Sequence, residues 1–213
     1  MDDYFITIKN HVEVTEYIEK SRFISQAFSI SSEEEAFERI STIKKAHYKA
    51  THNVYAYVIG ENKEIQKSTD DGEPSGTAGV PILEIIKKDN ITNVLIVVTR
   101  YFGGIKLGAG GLIRAYAHMA KLALDQSEKI FRLLCSNIRI SIDYPYWGKV
   151  ENYINNNKKI HISFIDYTER VNIGIYVQDE DKNELYNAIK EITNGNVSIE
   201  ELGKEYVTLP YPL

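Results

Sequence analysis

The sequence contains a single cysteine, Cys135, among 213 residues. One cysteine excludes an intrachain disulfide and a cysteine-rich zinc site, and it is typical of a reducing compartment. No run of apolar residues approaches the roughly 20 that a membrane-spanning helix needs, and the opening residues MDDYFITIKN do not resemble a signal peptide. We therefore expect a cytoplasmic protein that has no membrane partner.

Positive charge is also scarce, because 25 lysines and arginines face 30 acidic residues and leave a formal net charge of −5. A protein that coats nucleic acid regardless of sequence needs clustered Lys and Arg, so this class is excluded, although one local basic face remains compatible with the composition. The patterns of P-loops, dinucleotide-binding folds and serine hydrolases are absent, and Ser75 in EPSGT does not match the last of these. No cofactor, metal site or catalytic residue is predicted.

The most informative segment that is present is rich in glycine. The glycines between Tyr101 and Leu112 are Gly103, Gly104, Gly108, Gly110 and Gly111. Glycine permits backbone angles and close approaches that a Cβ forbids, and a strong helix pattern follows, so backbone N–H groups can point outward there. With the charges of Arg100, Lys106 and Arg114, the segment is suited to an anion such as a phosphate. The alternative is that the glycines serve only tight turns and packing.

An acidic loop precedes this segment in the sequence. Asp70, Asp71 and Glu73 place three carboxylates within four positions, where they could bind Mg²⁺ or act as an acid–base pair. The alternative is a structural role, such as pairing with Arg100 or capping the next helix. Thr77 is the residue that we expect to cap that helix, which runs to about Lys88.

Further residues are expected to line the same site. His52, beside Asn53 at the start of the strand VYAYV, is the histidine best placed to join it, although a structural histidine is the alternative. Aromatic rings next to the glycines could stack on nucleic-acid bases. The lining residues expected besides the cations and glycines are His52, Asn53, Asp70, Asp71, Glu73, Ser75, Thr77, Tyr101 and Phe102.

The periodicity predicts an α+β fold in two domains, 1–130 and 131–213. In the first, VEVTEYIE and RFISQAFSI read as an antiparallel strand pair, and a helix capped by Ser31 or Ser32 follows to about Tyr48. The strand from Asn93 to Val98 is continuously apolar and β-branched, so we expect it to be central in its sheet. In the second, the order β-α-β-β-α-β predicts a ferredoxin-like antiparallel sheet with two helices on one face.

Three blocks of the first domain resemble the signature of a known family. HNVYAYVIG, DDGEPSGTAGVPIL and VVTRYFGGIKLGAGGLIRAY occur in this order and are similar to the Impact family, specifically its bacterial YigZ-like members. The resemblance covers most of residues 1 to about 130, and the tail resembles the second domain of the bacterial members by pattern. It implies a first domain with the β-α fold shared by small-subunit ribosomal proteins and domain four of elongation factor G. It implies a second domain that resembles domain five of that factor.

The ribosomal proteins and elongation factor G, whose domains the resemblance implies, both act in translation. The eukaryotic Impact proteins are translational regulators that interfere with activation of a kinase acting on an initiation factor, but they carry an additional N-terminal recognition domain. This sequence does not show that domain, so kinase regulation is not implied. Some bacterial members are described as proline dipeptidases, and no metal-ligand set here supports that activity.

Three functional hypotheses follow. The first is a non-enzymatic regulator that binds RNA or the ribosome, in which the glycines and the three cations hold phosphates. The alternative is an enzyme that acts on a small phosphorylated or anionic substrate, with the acidic-loop carboxylates as base or metal ligands. The third is protein binding through the second domain and the rings of Tyr144, Tyr146 and Trp147, unless these rings pack at the domain boundary. The oligomeric state is not predicted.

Overall fold

The computed structural model describes residues 4–210 and has the α+β class that the sequence predicts. The contacts group these residues into two units, of which the first comprises the residues up to Phe131 together with those from Leu209, and the second spans Arg132–Thr208. None of the five helices in residues 4–210 combines the length and the apolarity that spanning a bilayer requires.

The first unit is built around one antiparallel sheet. Its elements are β1 (Tyr4–Ile8), β2 (Val12–Ile18), β3 (Ser21–Ser29), α1 (Glu33–Ala46), β4 (His52–Ile59), β5 (Ile65–Thr69), α2 (Gly79–Lys88), β6 (Val94–Tyr101) and α3 (Gly108–Asp125). The strand order in the sheet is β2-β3-β6-β4-β5, and each neighbouring pair is antiparallel. The predicted β2–β3 pair and the predicted central strand are therefore confirmed.

Helices cover both faces of this sheet. The side chains of α2 and α3 pack on one face in a core that includes Val54 and Ile96, while α1 covers the other face in a core that includes Tyr57 and Val97. Because Ile96 and Val97 are neighbours in β6, this strand is buried on both sides, as a continuous apolar sequence requires.

Two helix starts show how local sequence sets the fold. Helix α1 begins after Ser32, whose Oγ accepts a hydrogen bond from the backbone N–H of Glu35 at 3.3 Å, so the predicted cap is confirmed. Helix α2 begins after Ala78 without a cap from that residue, and the expectation that Thr77 caps it is wrong. The Thr77 hydroxyl instead donates to the carbonyl oxygen of Pro74 at 2.6 Å, and Asp70 takes over the capping role.

The second unit has the predicted β-α-β-β-α-β order. Its elements are β7 (Lys129–Ile142), α4 (Tyr144–Asn156), β8 (His161–Tyr167), β9 (Val171–Val177), a short 3₁₀ turn (Asp179–Asp181), α5 (Lys182–Ile192) and β10 (Val197–Pro210). The strand β7 lies between β9 and β10 in the sheet, and β8 is the far neighbour of β9. This arrangement is the split β-α-β fold that the pattern predicts.

The aromatic cluster of α4 packs inside the second unit. Tyr146 and Trp147 lie against its hydrophobic core, and the Trp147 ring meets the Tyr167 ring edge to face at 6.1 Å. Tyr144 is 48% exposed and donates a hydrogen bond to the carbonyl oxygen of Thr168 at 2.7 Å. These contacts account for the three rings within their own unit.

Candidate functional site

The acidic loop and the glycine-rich segment meet at the carboxylate of Glu73. Its Oε1 accepts a hydrogen bond from Arg100 Nη1 at 2.7 Å and another from the Tyr116 hydroxyl at 2.7 Å. Glu73 lies between β5 and α2, Arg100 lies near the end of β6, and Tyr116 lies on α3. The side chains of Glu73 and Arg100 are only 4% and 5% exposed, so one buried ion pair joins the two segments.

Arg100 is enclosed by protein. Its Nη2 donates to the hydroxyl of Ser21 at 3.3 Å, and its guanidinium carbon lies 5.4 Å from the ring centre of Phe23 and 5.5 Å from that of Phe102. Its Nε is fully buried without a partner among residues 4–210. The Arg100 guanidinium therefore forms an ion pair with Glu73, as in the structural alternative for the acidic loop. It is buried and stabilises the loop instead of facing solvent.

Asp70 organises the start of α2. Its Oδ1 accepts from the backbone N–H groups of Ala78 at 3.0 Å and Gly79 at 2.9 Å, and its Oδ2 accepts from that of Gly76 at 2.8 Å. Burial alone would raise the pKa of Asp70, but these three N–H groups outweigh it and hold the pKa below its ordinary value. Asp70 thus satisfies donors that a helix start leaves open.

Asp71 holds the turn beneath His52. Its Oδ2 accepts from the backbone N–H of Asn53 at 2.7 Å, and its Oδ1 accepts from Lys44 Nζ at 2.7 Å. Its backbone φ is 42°, in the left-handed region that residues other than glycine seldom adopt, and Gly72 follows with a φ of 89°. This geometry turns the carbonyl oxygen of Asp71 toward His52 Nδ1, which is 2.9 Å away.

Protein donors therefore occupy all three carboxylates of the acidic loop. In residues 4–210 there is no cluster of three or more His, Cys, Asp or Glu side chains that could hold a metal ion. Only one oxygen of the three carboxylates, Glu73 Oε2, has no hydrogen bond within the described residues, and it lies 3.7 Å from His52 Nε2. His52 Nε2 thus faces the oxygen of Glu73 that accepts no hydrogen bond in the buried network, by which we mean the hydrogen-bonded side chains of Glu73, Arg100 and Tyr116.

The first glycine of the glycine-rich segment, Gly103, is needed for packing. A Cβ on Gly103 would lie 1.9 Å from the carbonyl oxygen of Lys20, so only glycine fits against the β2–β3 hairpin. The backbone N–H of Gly103 donates to Ser21 Oγ at 3.2 Å, and that of Phe102 donates to Thr51 Oγ1 at 3.1 Å. Packing therefore accounts for Gly103.

The backbone N–H groups after Gly103 differ from that of Gly103 in having no protein acceptor. In the described chain, the backbone N–H groups of residues 104–110, which we call the amide loop, find no protein acceptor. The residue before α3, Leu107, supplies no side-chain cap. Gly104 and Gly108 have φ values of 89° and 67°, and a Cβ on either would meet nothing within 4 Å. The amide loop is open to solvent at most of its residues.

Two cations accompany these N–H groups. Lys106 and Arg114 are exposed, and neither forms an ion pair within residues 4–210. Arg114 folds back over the first turn of α3, because its Nη1 lies 3.6 Å from where a Cβ on Gly110 would be. A Cβ on Gly111 would lie 3.0 Å from Leu107 Cβ, so this glycine relieves crowding. The loop therefore combines unmet donors, a helix N-terminus and two free charges.

The remaining expected residues differ in their placement. The Phe102 ring is 46% exposed beside the amide loop, whereas the Tyr101 hydroxyl bonds to His47 Nδ1 at 3.0 Å and its ring lies 4.5 Å from the Arg22 guanidinium carbon. Asn53 points into the sheet, where its Oδ1 accepts from Thr99 at 2.8 Å. Ser75 is exposed in the acidic loop and Thr77 is buried.

Sequence reasoning missed Tyr116 and Ser21. Tyr116 is fully buried on the apolar face of α3, and its burial, followed by its hydrogen bond to Glu73, raises its pKa far above the ordinary value. A signal for it existed, since a buried tyrosine hydroxyl usually finds a polar partner. No sequence signal pointed to Ser21, because its role depends on the β2–β3 hairpin that brings it to Arg100.

Comparisons with known proteins extend this description. Residues 19–124 match the model described as the Impact N-terminal domain, and residues 140–196 match one described as a domain of unknown function, DUF1949. The IMPACT family member YvyE of Bacillus subtilis (strain 168) is 47% identical over 197 residues, which are 92% of this chain and 90% of that protein.

Two further proteins are similar over different lengths. The IMPACT family member YigZ of Escherichia coli (strain K12) is 39% identical over 117 residues, which are 54% of this chain and 57% of that protein. A crystal structure described as that of an hypothetical protein has 26% identity and a TM-score of 0.62, over 93% of this chain and 97% of that one.

Proposed function

This chain belongs to the Impact family, and from this premise we propose that it is a translation-associated regulator that binds RNA or the ribosome through the amide loop. The observation that carries the proposal is the run of backbone N–H groups in residues 104–110 that find no acceptor in the described protein. A cytoplasmic location is part of the proposal, as is a role that requires no catalysis.

The amide loop suits the phosphates of a nucleic-acid backbone. Successive N–H groups in a turn followed by a helix N-terminus form a concave donor surface with partial positive charge. Lys106 and Arg114 add full charges that no carboxylate of residues 4–210 neutralises. Each phosphate offers anionic oxygens that only accept hydrogen bonds, so donors and acceptors are complementary.

The openness of the loop favours a polymer over a small anion. Small ligands are usually bound in concave pockets that enclose most of their surface. Residues 104–106 and 108–110 are exposed instead, as a strand that passes across the surface requires. The Phe102 ring, supported from below by Arg100, is 46% exposed and available for a base to stack on.

The enzymatic alternative gains no support from the acidic loop. A general base or a metal ligand needs a carboxylate whose oxygens are free toward the substrate or the ion. Asp70 and Asp71 already accept hydrogen bonds on both oxygens, so only Glu73 Oε2 is left and the loop offers no second free carboxylate for an acid–base pair or a metal site. We therefore do not carry this alternative further.

The test is a binding titration with ribosomal RNA fragments and with ribosomes at several salt concentrations. We expect salt-dependent binding that weakens in the double variant Lys106→Ala, Arg114→Ala, with the slope of log affinity against log salt reduced by about one for each phosphate contact removed. The matched control is Lys88→Ala, since Lys88 is also exposed and without an ion pair in the described chain but lies at the end of α2.

Two results would contradict the proposal. One is the absence of binding at low salt, where electrostatic attraction is strongest. The other is binding that the double variant leaves as strong as in the control. Thermal stabilisation that saturates with inorganic phosphate or nucleotides would point instead to a small-ligand site.

A further inference from the structure

We propose that His52 and Glu73 together receive the ribose 2′-hydroxyl of a strand held on the amide loop, so that the site distinguishes RNA from DNA. This inference rests on the proposed function. It begins from Glu73 Oε2, the oxygen of the buried network that no donor reaches within residues 4–210.

The protonation of His52 is fixed on one side of its ring. Its Nδ1 lies 2.9 Å from the carbonyl oxygen of Asp71, and a carbonyl can only accept, so Nδ1 carries a hydrogen. The other ring nitrogen, Nε2, faces Glu73. In the neutral imidazole Nε2 is therefore a lone-pair acceptor that points toward a second acceptor.

Of the two carboxylate oxygens of Glu73, one accepts hydrogen bonds from protein donors and the other does not. Oε1 accepts from both Arg100 and Tyr116, whereas Oε2 accepts from neither and lies 3.7 Å from His52 Nε2. The Glu73 side chain is 4% exposed, and Oε2 meets no hydrogen-bond donor within residues 4–210. A nearly buried carboxylate oxygen without a donor is a strong acceptor for a ligand donor.

The local charge selects a neutral donor. The Arg100 guanidinium already lies 2.7 Å from the same carboxylate, so a metal ion placed at Oε2 would be repelled. A hydroxyl suits both states of His52. When the imidazole is neutral, the hydroxyl hydrogen is shared between Glu73 Oε2 and His52 Nε2, and when it is protonated, the hydroxyl donates to Oε2 while its oxygen accepts from Nε2–H.

The position of the pair connects this hydroxyl to the amide loop. His52 is the first residue of β4 and pairs with Arg100, so it lies at the sheet end where β6 finishes. The next segment, from Phe102, is tied to Thr51 by a hydrogen bond of 3.1 Å. In RNA the 2′-hydroxyl lies next to the backbone phosphates, and it is the group that separates RNA from DNA in protein recognition. A strand with a phosphate on the amide loop therefore brings this hydroxyl toward His52 and Glu73.

The experiment uses the full chain and three fluorescent single strands of one mixed sequence, namely RNA, 2′-O-methyl RNA and DNA. We expect the RNA to bind about tenfold more tightly than the other two, the size of one hydrogen bond to a charged group. His52→Ala should bring the three affinities close together. The matched control His118→Ala should not, because His118 is an exposed histidine of α3 that pairs with Glu16.

The outcomes separate this inference from the proposed function. Equal salt-dependent binding of all three strands overturns this inference and leaves the proposed function standing. Absence of binding to every strand overturns both. A preference for RNA that survives in His52→Ala overturns the assignment to His52 and Glu73. In NMR spectra of the unaltered chain, RNA but not DNA should shift the His52 ring resonances, while those of His118 stay in place. A shift of equal size with both strands would mean that no hydroxyl is recognised there.

Discussion

The acidic loop and the amide loop are both glycine-rich and each leads into a helix, yet they use their polar groups in opposite ways. In the acidic loop, side-chain carboxylates satisfy backbone donors, as Asp70 does for Gly76, Ala78 and Gly79. In the amide loop, backbone donors have no acceptor among the described residues. Composition alone therefore does not separate a structural loop from a binding loop, whereas a full account of donors and acceptors does.

The largest expected effect comes from breaking the junction between the two loops. Glu73→Ala leaves the Arg100 guanidinium buried without its partner, so we expect the free energy of unfolding to fall by about 3–5 kcal/mol. Urea unfolding measures this loss. Glu84→Ala is the control, because Glu84 pairs with Lys87 on the surface of α2 and should cost about 0.5 kcal/mol or less. Equal losses in the two variants would mean that the junction does not stabilise the fold.

A glycine-to-alanine pair tests the contrast directly at the two helix starts. A Cβ on Gly79 would lie 2.5 Å from the carbonyl oxygen of Thr69, so Gly79→Ala should cost about 1–3 kcal/mol through backbone displacement. A Cβ on Gly110 would contact only Arg114, so Gly110→Ala should be neutral or stabilising by up to about 1 kcal/mol. Thermal unfolding of both variants provides the comparison. A large loss in Gly110→Ala would show that the amide loop is as tightly packed as the acidic loop.

The smallest effect concerns the charge of Asp70. Its pKa is lower in the folded protein than the ordinary value near 3.9, so its carboxylate stabilises the fold above about pH 4 and loses this contribution as the pH falls through the folded-state pKa. Asp70→Asn should cost about 1 kcal/mol near neutral pH and should flatten the acid side of the stability curve. Urea midpoints measured between neutral and acidic pH test this. An unchanged acid slope in the variant would show that other carboxylates carry the dependence.

Most of the fold could be predicted because its signals are periodic and local. The continuously apolar run of β6 placed it at the centre of the sheet, and alternation of residues such as Ile138 and Ile140 marked the strands of the second unit. Helix α3 begins at Gly108, within the glycine-rich segment rather than after it as predicted, because glycines give no helix signal even where the chain is helical.

The site was less predictable because it depends on contacts across long stretches of sequence. Ending the central strand at Val98 left Arg100 outside it, whereas β6 continues to Tyr101 and period two then turns Arg100 to the same face as Val98. That inward placement makes the pairing with Glu73 necessary. The cap of α2 comes from Asp70, eight residues before Ala78, a distance beyond the spacing of any local capping motif.

The close approach of Gly103 to the carbonyl oxygen of Lys20 fixes the point at which the amide loop begins, because no side chain fits between Gly103 and the β2–β3 hairpin. A synthetic peptide that copies residues 101–114 has every donor of the loop but lacks this hairpin, so we expect it to populate many conformations and to bind more weakly than the whole chain.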